Sequence, residues 1–112
     1  LEAIVHPAVS VRMEAWIAGL PTAVAMLEAI KLVEAGLHLR CDAVWLVMCD
    51  RRVRRERLAA RGWSPDEIDR RLSSAPPLGP ELAVATDVID NSGPLNHTRM
   101  QVDLAWKGLK LR

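Results

Sequence analysis

Arg51, Arg52, Arg54, Arg55, Arg57 and Arg61 fall within a single short stretch of this sequence. Guanidinium forks match the oxygens of phosphate and carboxylate, so a helix bearing them reads as an anion-recognition face. The same run also suits a solvated helix paired with Glu56, Asp66 and Asp69, and the residue types alone leave both readings open. Further along, Asp90-Asn91-Ser92-Gly93 joins four residue types that each favour turn geometry. His6 precedes Pro7 and reads as a cap or kink position. Lys31 is either a solvated lysine or an ammonium available to phosphate. Cys41 and Cys49 lack zinc-ligand spacing and read as packing residues. Trp16, Trp45, Trp63 and Trp106 are too dispersed to form a stacking platform.

Positioning such side chains requires defined elements. Residues 1–20 read as helix, with His6-Pro7 interrupting an apolar stripe that Val9, Met13, Trp16 and Leu20 resume. Residues 22–27 (TAVAML) suit a buried strand, and 28–35 a short helix closed by Gly36. Residues 42–48 (DAVWLVM) are the clearest strand, apolar without alternation as in a parallel sheet covered on both faces. Asp50 caps a helix over 51–61 that Gly62 ends. Ser64-Pro65-Asp66-Glu67 is a capping box with Pro at the first helical position, so a second helix runs from there to Ser73. Residues 75–80 read as a loop, 86–89 (TDVI) as a third strand, and a last helix places Leu95, Val102, Trp106 and Leu109 on one stripe. Strands alternating with helices imply an α/β fold with a parallel sheet.

The chain has 112 residues, half of them apolar, with 15 Lys+Arg against 14 Asp+Glu and a net charge of +1. This composition excludes disorder and supplies no general nucleic-acid-binding charge. No apolar run approaches the ~18 residues of a membrane span, and two cysteines suit a reducing cytoplasm. Twelve of the basic residues are Arg, a bias that phosphate recognition and a GC-rich genome explain equally. The start at Leu1, already apolar and helix-like, reads as the start of a fragment.

Residues 1–7 (LEAIVHP), 28–36 (EAIKLVEAG), 42–47 (DAVWLV), 57–62 (RLAARG), Arg71-Leu72 and 88–93 (VIDNSG) resemble, in this order, the latter part of dephospho-CoA kinases. The likeness runs across residues 1–107. It implies a partial P-loop kinase-like three-layer α/β fold with a parallel sheet and a helical lid insertion. Within it, 1–50 would be acceptor-side helices and core strands, 51–80 the Arg-rich lid, and 81–112 the last core strand and C-terminal helix. The family phosphorylates the 3′-hydroxyl of dephospho-CoA with ATP and magnesium in coenzyme A biosynthesis. By resemblance, Arg57, Arg61 and Arg71 are the nucleotide-binding lid arginines, Asn91 contacts the base, and His6 and Lys31 lie on the substrate side. Two positions depart from the pattern: many relatives carry Gln and Lys where this chain has Ala75 and Glu81, and an anion near phosphates repels them.

The family's Gly-rich phosphate loop, and the acidic residue near the acceptor hydroxyl, lie upstream of Leu1 in this comparison. No G-x-x-x-x-G-K-[ST] occurs in the sequence. The chain alone is therefore expected to carry no catalytic residue and no metal ligand, to hold ATP and magnesium insecurely, and to be inactive. The strand leading to that loop would sit between the 22–27 and 42–47 strands, so a missing N-terminal segment or a second chain is expected there, unless the two strands close up. Two alternatives remain: a kinase-derived, non-catalytic binding or structural module, and another nucleotide kinase with a similar lid.

Overall fold

The computed structural model describes residues 11–21, 24–75 and 77–109. One compact unit ends at Asp42 and a second spans Ala43–Leu109.

In the first unit, residues 11–18 are helical. Gly19 closes that helix by donating to the carbonyls of Ala15 and Trp16 at 3.3 and 3.2 Å. Residues 24–29 are irregular, which corrects the strand expected over 22–27; its first two positions lie outside the described residues. Thr and Ala make half of TAVAML, and alanine has little preference for a pleated surface, so the run depends on a ladder partner to become a strand. Residues 30–36 form successive hydrogen-bonded turns in place of the helix expected over 28–35. The bonds Ala35 N to Lys31 O, Gly36 N to Val33 O and Leu37 N to Leu32 O span four, three and five residues, so no single helical pitch propagates. Gly36 has the positive φ of 74° that its expected terminating role requires. A 3-10 turn over Leu37–Arg40 follows, with Leu37 buried. Arg40 pairs with Glu14 at 2.8 Å. Cys41 donates weakly to the Leu37 carbonyl, and burial, then the nearby Asp42 charge, push its thiol pKa up.

The second unit holds a parallel pair, β1 (Trp45–Met48) and β2 (Asp87–Asp90), in register Trp45–Asp87, Leu46–Val88, Val47–Ile89 and Met48–Asp90. The strands arise where apolar runs were expected, each shortened or shifted at its ends. Thr86 extends the ladder through its side chain: its hydroxyl accepts from Val44 N–H at 3.0 Å and donates to Val44 O at 2.9 Å. At the other end, Asn91 N–H donates to Met48 O at 2.7 Å.

Between the strands run α1 (Arg51–Ala60), α2 (Pro65–Ser73) and α3 (Gly79–Val84), and after β2 comes α4 (Leu95–Lys107). Helix α1 begins where the Asp50 carboxylate accepts from Arg52 N–H, and it ends before Gly62, whose φ is 92°. Helix α2 starts with the expected reciprocal capping box: Glu67 N–H donates to Ser64 Oγ, and Ser64 N–H donates to Glu67 Oε2. Its Ile68 and Leu72 are buried against the side facing α1. The first two residues of helix α3, Gly79 and Pro80, fall in the loop expected over 75–80, and the rest of the helix was given no element. Pro80 sits in its first turn, where a missing N–H costs nothing and a fixed φ favours helix.

Helix α4 corrects the expected stripe. Leu95 stays 64% exposed and Trp106 47%, while Ala105 is buried and Thr98, Gln101 and Leu109 are half-buried. The face that meets β2 is chosen by backbone groups: Gln101 accepts from Asp90 N–H at 2.8 Å and donates to Asp90 O at 2.8 Å. Its amide thus supplies the donor and acceptor that a further strand would have offered, and Ala105 permits close approach.

Candidate functional site: an arginine cleft beside two strand ends

Strands β1 and β2 end side by side, and each leads through a short turn into a helix. Asp50 N–H donates to Ser92 Oγ at 2.7 Å, so the two turns are tied together. Ser92 N–H in turn donates to Asp90 Oδ1 at 3.0 Å. Hydrogen bonding from Ser92, through its hydroxyl and then its backbone, holds the exposed Asp90 carboxyl below its usual range, with the nearby His97 adding a small charge effect.

On α1 the arginines divide by helical phase. Arg55 turns to α2 and pairs with Asp69 at 2.6 Å. Arg54, Arg57 and Arg61, at spacings of three and four, share another face. With Arg71 from α2 they line an open cleft of about 290 Å³ whose other walls are Cys49, Leu58 and Leu72. The lining is four guanidinium groups, a thiol and two leucines, without a carboxylate. Such a site attracts an anion with several oxygens. It presents no oxygen ligand for magnesium, and among the described residues no three of His, Cys, Asp and Glu stand together as a metal-binding group.

Arg57 is the most enclosed of the expected lid arginines, half-buried where Arg61 and Arg71 are exposed. Its Nη1 donates to Cys49 Sγ at 3.4 Å and its Nη2 to Gly93 O at 3.4 Å, so one fork spans both turns. Asn91 stands two residues before Gly93. Its Oδ1 accepts from Thr98 Oγ1 at 2.8 Å, which leaves the Nδ2 amine as the group turned to donate.

The structure therefore brings Arg57, Arg61 and Arg71 together, with Asn91 on the turn that Arg57 grips. Lys31 belongs to the first unit, and His6 lies outside the described residues. Glu81, on α3, does not line the cleft; its Oε2 is shielded from solvent without a hydrogen-bond partner among the described residues. Ala75 is also absent from the lining. Two cleft residues were missed. Arg54 was not among the lid arginines that the likeness picked out, although its three-residue spacing from Arg57 was the available signal. Cys49 read as packing, and nothing in the sequence places it under the Arg57 fork.

A model of the family described as dephospho-CoA kinase matches residues 1–97, a span that includes every cleft residue and Asn91. The chain belongs to the dephospho-CoA kinase family. It is 40% identical to a dephospho-CoA kinase of Symbiobacterium thermophilum, over 96% of this chain and 46% of that protein. It is 38% identical to the Geobacter sulfurreducens dephospho-CoA kinase, over 95% of this chain and 56% of the relative. A third, from Moorella thermoacetica, is 38% identical over 98% of this chain and 54% of its own length. The chain thus spans about half the length of these dephospho-CoA kinases. Among the described residues no helix is long and apolar enough to cross a membrane.

Proposed function

We propose that this chain forms the nucleotide-phosphate side of a dephospho-CoA kinase, serving ATP-dependent phosphorylation of the dephospho-CoA 3′-hydroxyl in the cytoplasm. The observation that carries this reading is the cleft itself: guanidinium groups from two helices converge, with no carboxylate in the lining among the described residues. Arg61 and Arg71 grip phosphate oxygens, and Arg57 holds the cleft base against the turn that bears Asn91. Asn91, its carbonyl occupied by Thr98, donates to an acceptor nitrogen of the base. His6 and Lys31 are assigned to the dephospho-CoA side on family likeness. Magnesium, when bound with the nucleotide, neutralises phosphate charge; ligands for it come from outside this cleft.

For these 112 residues by themselves the reading is binding without turnover, because the sequence holds no G-x-x-x-x-G-K-[ST] to cradle the transferred phosphoryl group. Isothermal titration of the chain with ATP, ADP and adenosine tests the assignment. ATP should bind more tightly than adenosine, and Arg61→Ala should weaken ATP by about tenfold, the scale of one charge-assisted contact. Equal binding of adenosine and ATP would remove the phosphate-binding role.

A further inference from the structure

We propose, building on the phosphate-binding reading of this cleft, that Arg54 is a phosphate-binding residue in it, completing with Arg61 and Arg71 a three-guanidinium grip on a diphosphate-type anion.

Every other arginine of α1 is accounted for differently. Arg55 is held by Asp69 at 2.6 Å on the side facing α2. Arg57 has both ends of its fork engaged, by Cys49 Sγ and by Gly93 O, each at 3.4 Å. Arg51 and Arg52 are exposed and do not line the cleft. Arg54 lines the cleft one turn before Leu58, and no carboxylate pairs with it among the described residues. Arg61 and Arg71 share the lining in the same way. Three forks around one opening, none paired with a carboxylate among the described residues, suit a ligand with enough oxygens for more than one fork. A diphosphate meets this need, and each fork adds a charge-assisted contact to it. A single carboxylate, with two oxygens and one negative charge, cannot offset three guanidinium groups.

Arg54 is exposed, its backbone N–H donates to Asp50 O at 2.9 Å, and its side chain has no hydrogen bond or ion pair among the described residues, so replacing that side chain leaves the fold's packing intact. The test is calorimetric titration of the full 112-residue chain, and of its Arg54→Ala, Arg54→Gln and Arg51→Ala variants, with inorganic pyrophosphate and separately with ATP. Both Arg54 variants should weaken pyrophosphate about five- to tenfold, whereas Arg51→Ala, which removes the same charge from the same helix, should change it less than about twofold. Equal losses for Arg54 and Arg51 variants would reduce Arg54 to general surface charge and overturn the assignment. Failure of the parent chain to bind pyrophosphate would overturn it as well. Arg54-dependent binding of pyrophosphate, with ATP held no better than pyrophosphate, would uphold Arg54 while removing the adenine-nucleotide reading.

Discussion

Asp90 shows how much of this site rests on single residues. Its carboxylate accepts from Ser92, its backbone pairs with Gln101, and Ser92 reaches across to Asp50. The hydrogen bonds from Ser92 favour the ionised form, so the carboxyl titrates below its ordinary value of 3.8. The folded state then binds fewer protons than the unfolded chain. The contribution of Asp90 is therefore present above that ordinary value and is lost as pH falls through the lower folded value. A carbon-detected NMR titration should place its midpoint below 3.8, and Ser92→Ala should raise it; a midpoint at or above 3.8 in the parent would contradict the geometry. Arg57 makes a separate point. Arg57→Lys keeps the charge but cannot span Cys49 and Gly93 together, so stability in urea should fall by about 1 kcal/mol. No change would mean that the fork contributes nothing to joining the two turns.

Among the elements, α2 has the most local instructions. Ser64, Pro65 and Glu67 satisfy its first turn without help from elsewhere, which is why its start was legible from four residues. Ser64→Ala should destabilise the second unit by about 1 kcal/mol in urea denaturation, and because α2 carries Arg71, phosphate affinity should fall with it. An unchanged transition would show that Pro65 and the burial of Ile68 and Leu72 hold α2 alone. The Asp50 cap and the positive-φ Gly36 and Gly62 were legible for the same reason: their signals act within a few residues. Residues 24–27 and the stripe on α4 were not, because each depends on what lies opposite. A strand needs a ladder, and the face of α4 is set by the Asp90 backbone through Gln101, a polar partner that hydrophobic periodicity does not register. In the cleft, family likeness picked out Arg57, Arg61 and Arg71; Arg54 was legible only through its helical spacing from Arg57, and Cys49 only through the fold that sets it under the Arg57 fork.

At the scale of the whole molecule, the second unit covers its two strands unequally. Ile89 on β2, the strand that α4 packs against, is 2% exposed, yet its register partner Val47 on β1 is 61% exposed. Helix α4 leaves Leu95 and Leu104 each 64% exposed. Among the described residues of this unit, Ile68, Leu72, Ile89 and Ala105 are the buried apolar set, a small core for that exposed area. A two-stranded sheet is marginal by itself, and uncovered apolar strand surface favours pairing with another chain. The 112-residue chain should therefore self-associate over about 1–100 µM, read as a rising weight-average mass in sedimentation, and should enhance the fluorescence of an apolar-surface dye. Val47→Thr keeps β-branching while making that surface polar, so it should lower the association; Leu95→Lys tests the helix surface separately. If the parent chain sediments as a monomer across this range and leaves the dye dark, the exposed Val47 and Leu104 surfaces are not the liability that their area implies.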